Sequence, residues 1–334
     1  MLPTLFSFQN PPMRLFTQFA TVCLFATVAL SATAQTYADP ASYNNAIVNE
    51  QVDLLKKNLR YISKAAHSEN DRKIESRRLE VVEQNKVAVA KLQHMPTYKG
   101  NTELRTAALA AFKTMLEVYS ADYKQVNALA ATRTQSFEAM QRYFDAQEVA
   151  EQKLAVVDDT VNAVQKRFAK QYGMSIETSK ESARLAEYTR QVSAVNHYQH
   201  QVFLPFFRVQ KASAKLTDAL NAQDAAAFDA ARVTLAAEAE KSAAELSAVP
   251  AFRGKDVAYR NAARDFANLY VVMCANQFVQ VVELLKQKDH LSKVDAQTIN
   301  AHINAYNTQN QKFHEAYNRT ASAFMDTYVP VMND

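Results

Sequence analysis

His197 and His200 stand three residues apart, the spacing in this chain that most suggests chemistry. On a helix that spacing puts both rings on one face, where two imidazole nitrogens could be offered to one metal ion. A metal site inside a helical bundle also draws carboxylates from facing helices, commonly as Glu-x-x-His, and neither histidine has an acidic residue three positions before it. The plainer reading is a pair of surface or partly buried hydrogen-bonding histidines. His302 and His314 bracket a polar stretch and read as flank residues.

Cys274 ends the apolar stretch that begins at Leu269, where a thiol reads as a small core residue. A reactive thiol would want positive charge and exposure. Asp158 and Asp159 are adjacent, so on a helix they project about 100° apart and cannot face one another as an acid and a base. Arg72, Lys73, Arg77 and Arg78 alternate with Glu69, Asp71, Glu75 and Glu80, the pattern of a solvated helix face. No nucleophile paired with a base is legible, so no enzyme is expected, and no cofactor. The whole chain holds three glycines, too few to build a phosphate-cradling loop. Without residues 1–34, whose one charged side chain is Arg14, the formal charge falls from +4 to +3, which argues against nucleic acid as a partner.

The elements that would position these residues are helices. Few glycines, no tryptophan and abundant Ala, Gln, Glu and Lys favour helix nearly throughout. Asp39 before Pro40, Ser68 or Asn70, and Asn101 or Thr102 are the expected starts of three helices, and Thr134 opens a fourth that Gly173 closes. Helices over 179–221, 224–246, 256–287 and 292–328 follow, the first with Pro205 inside it and an expected bend there. Asn310 falls on an apolar seam, where a buried amide can select helix register.

The eight segments fall into two matching sets. Pro96-x-Tyr98-Lys99-Gly100 followed by Arg105 answers to Pro250-x-Phe252-Arg253-Gly254 followed by Arg260, with one extra residue before the second arginine. Adding 154 to Val48, Val52, Leu55, Leu59, Ile62 and Ala66 gives Val202, Phe206, Val209, Ser213, Leu216 and Leu220. Adding 156 to Ala150, Leu154, Val157, Val161, Val164 and Phe168 gives Tyr306, Asn310, Phe313, Tyr317, Thr320 and Phe324. Agreement in order and offset points to a tandem duplication. The expected fold is all-α, an up-down four-helix module present twice, in 35–174 and 175–334, with one elongated rod as the alternative arrangement. The aromatics Tyr98 and Phe252 are expected to pack under their corners, with a twofold docking feature as the alternative. Phe203, Phe206 and Phe207 form the densest apolar patch, either core or a partner-docking surface.

Residues 13–34 have the three-part layout of a secretory signal: Arg14, an apolar run, then Ala32-Thr33-Ala34, with cleavage expected after Ala34. Residues 1–12 read as an over-extended start, with Met13 the alternative beginning of a signal within 1–34. No transmembrane helix is read in the mature chain. Cys23 lies inside the apolar run, away from the position a lipid anchor would need, so a lipoprotein is not expected; removing the signal leaves Cys274 without a disulfide partner.

The segment Asp39-Pro40-Ala41-x-Tyr43-Asn44, together with Met95-Pro96-x-Tyr98-Lys99-Gly100 and Leu104-Arg105-x-Ala107-Ala108, resembles a family of exported bacterial helical surface proteins of unknown function, first named for a Leptospira member. That resemblance implies residence in the periplasm or at the cell surface and supplies no activity. The function expected is therefore a non-enzymatic structural or interaction role, with an envelope protein or surface polymer as partner. The alternative is a carrier that holds a small ligand or metal inside one bundle, with His197, Tyr198 and His200 as its first residues to test.

Overall fold

The computed structural model describes residues 37–67, 70–177 and 179–329. Its helices run α1 Pro40–His67, α2 Asp71–His94, α3 Glu103–Glu117, a π-helical turn Val118–Asp122, α4 Tyr123–Ala130, α5 Phe137–Gln171 and α6 Lys180–Asn221. They continue as α7 Ala225–Ala248, α8 Ala258–Ala275, α9 Gln277–Leu285, a 3-10 turn Lys288–His290 and α10 Lys293–Tyr328. The described residues are thus all-α. The expected signal segment lies outside them.

Helix starts are set by short polar side chains that satisfy otherwise unpartnered backbone N–H groups. Asp39 accepts from Ser42 N (2.8 Å), Asn70 from Lys73 N (3.1 Å) and Asp224 from Ala227 N (2.9 Å). Ser136 caps α5 through Ala139 N, so that helix begins later than Thr134. Ser292 caps α10 through Asp295 N while Asp295 accepts from Ser292 N, a reciprocal box. Gly173, at φ 65°, closes α5 as Met174 N reaches back to the Ala169 carbonyl (2.8 Å).

The third helix expected in each set is interrupted. In the first, the π turn lets Tyr119 and Tyr123 both enter the core, stacked with centroids 5.3 Å apart. In the second, Asn276 (φ −122°, ψ −84°) separates α8 from α9 with a 43° bend. No single helix among the described residues is long and apolar enough to cross a membrane; the bent α8–α9 pair reaches that composition only jointly, and its Phe266, Tyr270, Phe278 and Val282 are buried.

Contacts group the described residues into two compact units: an N-terminal one of 37–133, 142–196 and 328–329, and a C-terminal one of 134–141 and 197–327. The opening of α5 thus belongs to the C-terminal unit and the opening of α6 to the N-terminal one. Lys56 pairs with Glu181 (3.0 Å) inside the N-terminal unit, where Leu185 and Val192 are buried.

The expected seams are largely core. Val48, Leu55, Leu59 and Ile62 are buried, as are Val202, Phe206, Val209, Leu216 and Leu220. On α10 the buried line passes through Asn310, His314, Tyr317 and Ala321, one residue off the expected Phe313 and Thr320. His314 is therefore a core residue, not a flank residue: its ring meets Phe206 and Phe266 edge-on, at centroid distances of 5.9 and 4.7 Å. Asn310 accepts from the Tyr270 hydroxyl (3.0 Å), which keeps its buried amide oxygen paired.

Candidate functional site

The two corners share one geometry. Lys99 and Gly100 have φ of 48° and 80°; Arg253 and Gly254 have φ of 51° and 76°. Tyr98 pairs with Asn101 across the first turn and Phe252 with Asp256 across the second, where the extra residue is absorbed. Arg105 donates to the Met95 carbonyl at 2.6 Å, and Arg260 donates likewise to the Val249 carbonyl. Each corner aromatic is buried in a triad: Tyr43, Tyr98 and Phe168 with centroids 5.3 to 5.9 Å apart, and Tyr198, Phe252 and Phe324 with centroids 4.9 to 5.3 Å apart. Packing under the corner, rather than docking, is what these rings do.

Beside each corner lies a cleft. The first, about 720 Å³, is walled by Ala46, Asn49 and Glu50 of α1, by Ala90, Lys91, Leu92 and His94 of α2, by Met95 and Pro96, and by Tyr37. The second, about 340 Å³, is walled by His200, Gln201, Leu204, Pro205 and Arg208 of α6, by Glu245 and Ala248 of α7, by Val249 and Pro250, and by Phe137 and Gln141. Adding 154 turns Ala46 into His200, Glu50 into Leu204, Lys91 into Glu245, and Met95-Pro96 into Val249-Pro250. The two clefts are the same groove at matching places.

Each groove is bridged by an ion pair whose polarity is reversed between them. In the first, Lys91 of α2 reaches Glu50 of α1 at 2.5 Å, and Gln84 also touches that carboxylate, at 3.4 Å. Glu50 is only 8 % exposed, whereas its partner Lys91 stays largely in solvent. In the second, Glu245 of α7 accepts from Arg208 of α6 at 2.8 Å, with Glu238 at 3.5 Å, and the Arg208 guanidinium lies 4.9 Å from the Phe137 ring centroid.

His200 lines the second cleft; burial, and secondarily the neighbouring His197, pushes its pKa down to about 3, so it is a neutral imidazole at ordinary pH. His197 instead meets the Gln201 amide (3.0 Å) on the exposed side. Among the described residues, no group of three His, Cys, Asp or Glu side chains could hold a metal ion. Pro205 has no N–H to donate to the Gln201 carbonyl, and both residues face the cleft.

One expectation changes, and one open alternative is decided. Phe203, Phe206 and Phe207 are 4, 2 and 4 % exposed, so they form core and no docking patch; their neighbours Leu204 and Pro205 face the groove instead. Arg78, expected on a solvated face, is buried and bound to Glu75 and to the Tyr119 carbonyl, and Arg232 repeats this with Asp229 and the Cys274 carbonyl. The groove charges Glu50, Lys91, Arg208 and Glu245 were not singled out by spacing; the sign reversal between positions 91 and 245 was the available signal. Cys274 is buried as expected, and burial pushes its thiol up to about 12.

Comparison with family models, with curated proteins and with solved structures finds no match to this chain.

Proposed function

We propose that this chain is a non-enzymatic exported protein of the bacterial envelope, built from two copies of one helical module, with an interaction or structural role exerted through its corner grooves. The observation that carries the reading is the pair of grooves at residues 154 apart, each walled by two helices and a proline corner and each crossed by an ion pair. A groove kept at both places with the charges exchanged fits a surface tuned to different partners better than it fits one repeated reaction. The shared corner hydrogen bonds and aromatic triads support the duplication. Export rests on the three-part layout of residues 13–34, and the resemblance of the corner motif to exported surface proteins points the same way. An envelope protein or a surface polymer is the partner class proposed.

A second reading, a small-ligand carrier, is favoured by one feature: the His200 cleft combines a neutral imidazole, an arginine–carboxylate pair and apolar walls. Photo-cross-linking in intact cells separates the two. Photoreactive residues at Asn49 and Ala248 are expected to yield a discrete adduct with one envelope component. Absence of adducts at both positions, with a small molecule co-purifying and lost in His200→Ala, would overturn the interaction role in favour of the carrier.

A further inference from the structure

We infer that this chain assembles head to tail, the opening of α10 of one molecule filling the N-terminal-unit groove of the next; this rests on the two modules being copies and on the grooves being binding surfaces.

The C-terminal-unit groove already has such an occupant. Residues 134–141, the opening of α5, belong to that unit and supply Phe137 and Gln141 to the groove wall. Phe137 lies on Arg208, Lys211 donates to the Thr134 carbonyl (3.1 Å), and Ala139 and Met140 are 7 and 1 % exposed. A helix opening from the first module therefore completes the groove of the second.

The counterpart of that opening in the second module is the start of α10. Ser136 and Ser292, 156 apart, cap their helices in the same way, each accepting from the N–H three residues on at 3.1 Å, and Gln141 corresponds to Gln297. Where the α5 opening is covered, the α10 opening is barer at each matching position but one: Ala139 and Met140 are buried and their counterparts Asp295 and Ala296 only half-buried, Lys293 and Gln297 are exposed where Phe137 and Gln141 are half-buried, and Val294, like its counterpart Glu138, is exposed. The groove the α10 opening would meet is the N-terminal one, about 720 Å³ against about 340 Å³; among the described residues its wall has Tyr37 from outside α1, α2 and the corner, and no helix opening such as the one that brings Phe137 and Gln141.

The chemistry of tip and groove changes together. In the C-terminal unit the tip residue is Phe137 and the groove offers the Arg208 guanidinium, an aromatic–cation pair. At the matching tip position stands Lys293, and the N-terminal groove offers the buried Glu50 carboxylate, with leucine at Leu54 where the other groove has Arg208. Asp295, held ionised by its bonds to Ser292, is the complement of Lys91. Ala296, the counterpart of the buried Met140, supplies the apolar contact. A tip and a groove that are different surfaces make a heterologous contact, which propagates from molecule to molecule unless a ring closes.

The purified mature chain tests this. Sedimentation over a concentration series is expected to reveal species larger than monomer, and Lys293→Glu, which sets a carboxylate against Glu50, to weaken the association roughly tenfold or more. Chains carrying K293C mixed with chains carrying N49C are expected to form a mixed disulfide under mild oxidation. Monomer at every concentration without a mixed disulfide, or association unaffected by Lys293→Glu, would overturn the inference. In either case an Asn49 or Ala248 adduct with another envelope component would leave the broader interaction role standing.

Discussion

Arg78, 5 % exposed, donates to the backbone carbonyl of Tyr119 at 2.6 Å from a helix 41 residues away in sequence. That carbonyl sits in the π-helical turn, and the guanidinium brings it a donor from another helix. Arg232 performs the same service for Cys274, next to the break between α8 and α9.

Replacing Arg78 with methionine keeps the length but removes the guanidinium that ties the Tyr119 carbonyl to the Glu75 carboxylate, which keeps its bond from Asn127. The expected cost is about 2–4 kcal/mol, within the range for breaking a buried charged hydrogen-bond network. Urea unfolding reads it, and a loss under 0.5 kcal/mol, about the size of an ordinary surface change, would show that the arginine does not hold the turn.

Burial depresses the pKa of His314 to about 4, with Phe206, Phe266 and the Gln210 amide around the ring. Both the folded and the unfolded chain hold it neutral above about pH 6.5, so its contribution is fully present there. As pH falls, the unfolded chain takes up a proton that the folded one refuses. Stability then drops by about 1.4 kcal/mol per pH unit until the folded pKa is reached. His200, depressed to about 3, acts in the same direction. Melting temperature against pH is expected to fall between 6.5 and 4 and to fall less steeply in His314→Leu; an unchanged slope would refute the assignment.

Glu151 runs the other way. Burial first, and the Glu148 carboxylate second, raises its pKa to about 8. A raised folded pKa means the contribution is fully present below the unfolded value near 4.3 and lost as pH rises through 8. Glu151→Gln is therefore expected to stabilise the protein above pH 8 and to change little near pH 4. Thermal unfolding at those two pH values decides it; equal effects at both would count against a buried carboxyl.

Gly100 and Gly254 hold φ of 80° and 76° at matching corners, and a Cβ at either would meet nothing within 4 Å. Alanine there costs backbone strain alone, about 1 kcal/mol at each position. Equal losses by denaturant titration are the expected outcome, and a loss at one glycine only would break the equivalence of the corners.

The corners were legible because Pro, Gly and an aromatic at fixed spacing act locally: a left-handed turn needs the glycine wherever the chain goes next. The helices were legible for the same reason, since caps such as Asn70, Asp224 and Gly173 act on their own turn. His314 was misread because a one-residue drift in the buried line of α10 exchanges it with Phe313. Arg78 was misread because Glu75 and Glu80 beside it look the same whether or not another helix covers the face.

By itself, then, the sequence determined an all-helical chain, its two matching corners and most of its apolar seams, because propensity, capping and periodicity are short-range properties. Only the tertiary structure decided that Phe137 lies on Arg208, that Glu50 and Lys91 bridge a groove, and that the opening of α5 completes the groove beside Pro250. Those pairings depend on which helix faces meet, and the free energy that selects them comes from burying apolar and charged groups far apart in the chain.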